Sequence, residues 1–249
     1  MCDVCGCGDK SVSVDVHDRI LAGNERQAAH NREHFAEAGV LAINLMGSPG
    51  AGKTAVLEAT ARGLTHVRRF GALTGDLATD NDANRLKAVG VPALSITTGS
   101  ACHLDADMVH HAMHRFPWAH LDYLFIENVG NLVCPAVYDL GQAANVVALA
   151  IHEGEDKPLK YPTMFHRADL VLITKIDLAP YLEIDIDLIE HNLARVMPAP
   201  AVLRVSAKTG EGIDRWAAWL EERRPVATTD MADFASARRH QHGPFPRSA

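Results

Sequence analysis

The sequence predicts an α/β protein, a mostly parallel sheet with helices on both faces, preceded by a short cysteine-bearing segment and one further helix. Three observations carry this prediction. Apolar runs of strand length alternate with helix-like segments of roughly ten residues or more, the rhythm of a parallel sheet. The runs are apolar throughout rather than alternating, as strands covered on both faces must be. The first of them, Val40–Met46, leads straight into the glycine-rich octet Gly47-Ser48-Pro49-Gly50-Ala51-Gly52-Lys53-Thr54 and then into the helical pattern from Ala55.

In order along the chain, residues 1–9 form a Cys/Gly tag, 10–17 a polar linker, and 18–38 a mostly polar helix with apolar points at Ile20, Leu21, Ala28 and Phe35, ended by Gly39. Strands are expected at 41–46, 67–74, 92–97, 121–126, 146–151, 170–174 and 201–205. Helices are expected at 53–62, 81–89, 105–115, 182–196 and 212–222. The main domain therefore spans 39–225. The polar segment 226–249, with Pro244, Pro246 and the basic pair Arg238 and Arg239, reads as a disordered tail. No internal repeat is visible.

The 249 residues suffice for one large α/β domain. A formal charge of −7 without a long basic run argues against a nucleic-acid surface. No stretch approaches the ~20 apolar residues of a membrane span. Residues 1–20 lack the basic and apolar regions of an export signal, so a cytoplasmic location is expected. Five cysteines, at 2, 5, 7, 102 and 134, then read as metal ligands rather than a disulfide frame.

The octet is a complete G-x-x-x-x-G-K-[ST] loop, which makes the domain a P-loop NTPase. Its glycines (Gly47, Gly50, Gly52) let the backbone N–H groups of the loop, with Ser48 and Ala51, turn inward around phosphate oxygens at a helix N-terminus. Lys53 reaches the β- and γ-phosphates, and the Thr54 hydroxyl ligates Mg²⁺. Glu127-Asn128-Val129-Gly130 closes the strand run at Ile126 and resembles the D-x-x-G element of GTP-binding proteins, with Glu127 organising Mg²⁺ and the Gly130 N–H meeting the γ-phosphate. Asp76, in Gly75-Asp76 at another strand end, is a second candidate for the Mg²⁺ shell. Lys53, Asp76 and Glu127 are thus the candidate catalytic residues.

Thr174-Lys175-Ile176-Asp177 resembles the guanine-reading N-K-x-D motif, with Thr174 in place of Asn. Asp177 can accept from guanine N1–H and the exocyclic amine, whereas adenine N1 would face it with a lone pair. Leaving a buried polar group unpaired costs about 1–3 kcal/mol, which is how such a site discriminates. Lys175 would lay its stem along the base. Ser206-Ala207-Lys208 resembles the second guanine-side loop, in which the Ala207 N–H would meet O6.

Cys2, Cys5 and Cys7 offer three thiolates, and the α-amine left by removal of Met1 would be a fourth donor, with an unperturbed pKa of about 7.7–8.0. Such a chelate suits square-planar Ni²⁺ as well as tetrahedral Zn²⁺. Cys102-His103, in the loop after 92–97, and Cys134, just beyond Gly130, form a second candidate set. It leaves coordination positions open, which suits an ion in transit or a site completed across a dimer. His30 with His34, and His110 with His114, sit four residues apart on helices. Each pair lacks a third ligand and reads as a solvated helix face.

From Met1 to about Glu222 the chain resembles the HypB family, the nickel-inserting GTPases of hydrogenase maturation. The resemblance rests on C-x-x-C-G-C, GSPGAGKT, TGSACHLDADMV, ENVGNLVCPAVYDLG, HEGEDKPLKYP, TKIDLAPY and SAKTGEG. It implies slow GTP hydrolysis to GDP and phosphate, and dimerisation through the metal-bearing face. It also implies Ni²⁺ delivery to the [NiFe]-hydrogenase large subunit together with a small nickel metallochaperone of the HypA family. On this sequence the tight nickel site would be Cys2, Cys5 and Cys7, and the inner site, for Ni²⁺ or Zn²⁺, would be Cys102, His103 and Cys134. Two departures stand out: Thr174 for Asn, and no long His-rich tract after the first cysteines. Three alternatives stay open: the related urease nickel-insertion GTPase, whose members lack the terminal cysteine motif; a passive nickel-storage protein; and a small-molecule kinase, whose lid the segment 131–145 does not clearly show.

Overall fold

The computed structural model describes residues 10–64 and 67–224. The expected tag at 1–9, with Cys2, Cys5 and Cys7, and the expected tail at 226–249 lie outside the described residues. Seven strands form a sheet: β1 Leu41–Gly47, β2 Phe70–Asp76, β3 Ala93–Thr97, β4 Tyr123–Glu127, β5 Ala144–Ala150, β6 Leu170–Thr174 and β7 Val202–Arg204. Their order is β3-β2-β4-β1-β5-β6-β7, and every pairing is parallel. The helices are α1 Lys10–Glu37, α2 Lys53–Leu64, α3 Asn81–Ala88, α4 Ala106–Met113, the short α5 Lys157–Lys160 and α6 Pro162–His166, then α7 Ile186–Val196 and α8 Ile213–Arg223.

The period of two along β1 sorts the core. Leu41, Ile43 and Leu45 pack with Val56 and Leu57 of α2 and Trp216 and Leu220 of α8. On the opposite face, Ala42 joins Phe35 of α1 and Val109 and Met113 of α4. Met46 joins Met164 and Phe165 of α6 and Ile189 and Leu193 of α7. Every β1 residue is buried, Asn44 included. Asn44 is tolerated because it is paired on both sides: its Nδ2 donates to Asn145 Oδ1 at 3.0 Å, and its Oδ1 accepts from Asn128 Nδ2 at 3.2 Å.

Several boundaries differ from the sequence expectation. α1 begins at Lys10, so residues 10–17, read as linker, are helical. Their Ser and Val residues lower helix propensity, but no Gly or Pro interrupts the run before Gly23. α7 starts at Ile186 rather than at 182, because Asp185 caps it by accepting from Asp187 N and Leu188 N. Residues 176–181 before it form a 3₁₀ turn. α5 and α6, each with a proline in its first two positions, are too short to announce themselves by periodicity. Among the described residues no helix is long and apolar enough to cross a membrane.

Candidate functional site

Because all pairings are parallel, the carboxyl ends of the strands share one edge of the sheet, where ligands of open α/β sheets bind. Gly47 of β1, Asp76 of β2, Glu127 of β4 and Thr174 of β6 all open there. β4 lies directly beside β1, with Leu45 in register with Glu127, which sets the carboxylate next to the loop that follows Gly47.

That loop needs Gly47. A Cβ at this position, where φ is 148°, would sit 2.4 Å from Ala148 O of the neighbouring β5. Lys53 is buried at the start of α2 and its Nζ donates to Gly47 O at 3.3 Å and Ser48 O at 3.2 Å. Burial lowers its pKa, against the attraction of Glu127, Asp82 and Glu153. Lys53, Thr54, Asp76, Asp82, Glu127 and Gly130 border a cavity of about 530 Å³.

Thr54 Oγ1 lies 2.8 Å from both Asp82 Oδ1 and Glu127 Oε1. One hydroxyl proton cannot serve two carboxylates. Burial pushes Glu127 up to about 7, against the charge of Lys53 and the hydrogen bond from Thr54, so the two carboxylates crowd one hydroxyl with little room for two full charges. Its other oxygen, Oε2, is buried without a hydrogen-bond partner. A hydroxyl, two carboxylates and an orphaned buried oxygen facing a phosphate loop fit Mg²⁺, which takes one or two carboxylates and completes its shell with phosphate and water. Asp82, on the first turn of α3, is a site residue that sequence reasoning missed; only the packing of α3 against α2 turns it toward Thr54. Asp76 lies on the cavity wall as expected, but its Oδ1 accepts from Ala78 N, Thr79 N and Thr79 Oγ1. Those backbone bonds hold its carboxyl below the usual range and give it a turn-forming role as well.

The Glu127 shift has a sign that can be checked. Between pH 4.5 and about 7 the folded state holds a proton on Glu127 that the unfolded chain has released, so this group makes stability fall as pH rises through that window. Thermal unfolding without Mg²⁺ or nucleotide, followed from pH 4.5 to 8, is expected to show that loss in the parent. The Glu127→Gln variant should show a shallower pH slope. Parallel slopes would mean that Glu127 is not buried uncharged.

The residues expected to read the base gather around a second pocket, of about 230 Å³, bounded by Thr174, Lys175, Asp177, Leu178, Ala207 and Lys208. Thr174, the departure from the N-K-x-D pattern, is buried and donates to Ala51 O at 2.6 Å, so its hydroxyl ties this motif to the phosphate loop. Lys175, the one described non-glycine residue with positive φ (59°), donates through Nζ to Gly50 O at 2.7 Å. Ser206 Oγ donates to Asp177 Oδ1 at 2.6 Å and so orients that carboxylate.

Cys102, His103 and Cys134 converge within one subunit. Their ligand atoms lie within 4.8 Å of one another, with the two sulfurs 3.0 Å apart and Cys102 Sγ 3.8 Å from His103 Nδ1. The His103 ring stacks on Tyr138 at 3.8 Å between centroids. The hydrogen bond with Cys102, then burial, raises the Cys134 thiol above its ordinary range. The segment 127–134 joins this cluster to the nucleotide loop. Gly130 presses on Pro49 so closely that a Cβ would meet Pro49 N and Cα at 2.9 Å. Asn131 bridges to Gly47, and its Nδ2 donates to Cys102 O at 3.3 Å. Asn128 Oδ1 accepts from Leu104 N at 3.1 Å. Asn128 and Asn131 are further residues that the sequence did not single out.

A family model described as CobW/HypB/UreG, nucleotide-binding domain, matches residues 41–204. Over 215 residues the chain is 50% identical to the hydrogenase maturation factor HypB of Azotobacter vinelandii, covering 86% of this chain and 71% of that one. The crystal structure of HypB from Helicobacter pylori in complex with nickel superposes with a TM-score of 0.77 at 37% identity, covering 82% of this chain and 98% of that one. HypB from Archaeoglobus fulgidus superposes with a TM-score of 0.76, also at 37% identity, covering 81% and 98%. The chain belongs to the HypB family of hydrogenase maturation factors, a nickel-associated family built on a P-loop nucleotide-binding domain.

Proposed function

We propose that this protein hydrolyses GTP to GDP and phosphate, slowly by itself, and uses the cycle to control Ni²⁺ on its way to the [NiFe]-hydrogenase large subunit. Cys2, Cys5 and Cys7 take up the ion. Cys102, His103 and Cys134 hold Ni²⁺, or Zn²⁺ in its place, at the point of transfer. The chain works in the cytosol as a homodimer, with a small nickel metallochaperone of the HypA family as its partner.

The observation that carries this reading is the segment 127–134, which touches the phosphate loop at Gly130 and Asn131 and ends on the thiol of Cys134. Lys53 and the loop N–H groups bind the phosphates. Thr54, Glu127, Asp82 and Asp76 surround the place for Mg²⁺, which when bound neutralises charge developing on the phosphate oxygens. Gly130 N–H meets the γ-phosphate in the GTP state and loses that contact when the phosphate leaves, as switch segments do. Asn131 and Cys134 then change position relative to Cys102, and the ligand geometry differs between the two states. The coupling is reciprocal, so nickel must alter GTP affinity by the factor by which GTP alters nickel affinity.

The test is transfer of Ni²⁺ from the loaded full chain to the hydrogenase large subunit, with the partner metallochaperone present. GTP should drive the transfer, while ATP and a non-hydrolysable GTP analogue should not. Asp177→Asn adds a second arm, because an amide N–H would face guanine N1–H while finding an acceptor in the xanthine carbonyl. It should weaken GTP and favour XTP in both hydrolysis and transfer. Transfer that proceeds equally with ATP, or an Asp177→Asn chain with the parent's GTP preference, would contradict the proposal.

A further inference from the structure

The two histidine pairs that read as separate solvated faces are one cluster. α1 packs against α4, and this brings His30 and His34 of the first beside His110 and His114 of the second. His30 Nε2 and His34 Nε2 lie 3.0 Å apart, and His110 Nε2 and His114 Nε2 lie 3.1 Å apart. One ring nitrogen from each of His30, His34 and His110 falls within 4.8 Å of the other two. The third ligand that each pair lacked on its own helix comes from the other helix, a contact no local spacing reveals.

A buried side chain beneath the cluster settles which nitrogen points outward. Asn31 is fully buried, and its Nδ2 donates to Ala106 O at 2.8 Å and Leu140 O at 3.1 Å. With both amide protons used, Asn31 Oδ1 is left as an acceptor, and it lies 3.1 Å from His110 Nδ1. His110 therefore carries its proton on Nδ1 and turns the Nε2 lone pair toward the other imidazoles. Metal-binding histidines are held in this way, the far nitrogen donating to a fixed oxygen that sets the tautomer and the ring plane. Facing Nε2 atoms at 3.0 Å also need something between them, either a shared proton or a cation.

We infer that His30, His34 and His110, with His114 in reach as a fourth donor, form a binding site for a divalent late-transition-metal ion. The donors are imidazole nitrogens alone, with no thiolate or carboxylate among them. This composition selects Ni²⁺, Cu²⁺ or Zn²⁺ and is poor for Mg²⁺ or Ca²⁺. The site is distinct from both cysteine sets and does not depend on nucleotide. It clamps α1, the helix that follows the tag residues, to α4, the helix capped by Asp105 just after His103. An ion held there stabilises the α1–α4 contact, because it binds the docked arrangement and not the separated helices.

Trp118 reports on this site. Its ring centroid is 6.4 Å from that of His34, whereas Trp216 and Trp219 stack on each other in α8. The full chain is titrated with NiCl₂ while tryptophan fluorescence and bound nickel per chain, by equilibrium dialysis, are both recorded. Quenching is expected in the parent, its Trp118 component absent from Trp118→Phe. His34→Gln and His34→Gln/His110→Gln should each lose that component and one nickel per chain, while keeping the nickel bound through cysteine. Nickel should also raise the melting temperature of the parent more than that of either variant. His34 is only partly buried and His30 is exposed, so His34→Gln and His30→Gln serve as variants with intact folds should the double substitution unfold the chain. An unchanged nickel count in both single variants, or quenching that survives them, overturns the site.

Discussion

Lys53→Ala is expected to lower GTP hydrolysis by about 10²–10³-fold or more, the cost of removing a preorganised charge from a developing anion. The ammonium cannot be replaced from elsewhere. Among the described basic groups only Lys53 is buried beneath the loop; Lys175 and Arg85, which also border the cavity, are engaged with Gly50 O and Glu58. The fold should tolerate the change, since Lys53 bonds only to loop carbonyls, and those can take water. Nickel bound through Cys2, Cys5 and Cys7 should persist, because the 28 residues of α1 lie between those cysteines and the loop along the chain. Single-turnover hydrolysis and nickel dialysis on the same preparation check both halves. Loss of tight nickel binding together with hydrolysis would mean that the two functions do not occupy separate parts of the chain.

If Cys134 ligates the ion as proposed, Cys134→Ala should weaken the inner metal site by more than the about 10–100-fold typical of losing an outer-shell partner. It should also make the hydrolysis rate insensitive to added Ni²⁺ or Zn²⁺ while leaving the metal-free rate near that of the parent. The geometry separates these effects: Cys134 touches Cys102, and it reaches the phosphate loop through Asn131 and Gly130 rather than directly. Were Cys134 merely a small apolar residue beside Pro135, alanine would cost some stability and leave metal-dependent modulation intact. Hydrolysis against metal concentration in both proteins, with thermal unfolding as a control, decides between the two outcomes.

Much of this protein was legible from residue order alone, for local reasons. The apolar runs marked all seven strands within a few residues, because burial on both faces demands apolar residues wherever a parallel strand lies. Glycine at position 47 and the Lys53-Thr54 pair announced the phosphate loop, because that backbone shape and that chemistry tolerate few alternatives. Glu127, Thr174, Asp177 and Ser206 stood out because each ends or soon follows a strand, and parallel strands deliver their ends to one edge. Residues 10–17 were misread because their polarity was taken for linker, when packing farther along α1 supports the helix.

By itself, the sequence determined the α/β class and the phosphate loop, and it singled out Thr174–Asp177 as a candidate base-side motif and the cysteines as candidate ligands, all from neighbours along the chain. Only the tertiary structure decided how these were joined. It turned Asp82 toward Thr54, let the Thr174 hydroxyl hold Ala51, brought Cys134 to 3.0 Å from Cys102 across the chain, and met one histidine pair with the other. Each of these depends on which helix packs on which strand. That choice is made by burial of apolar faces far apart in sequence, and it leaves no mark in local spacing.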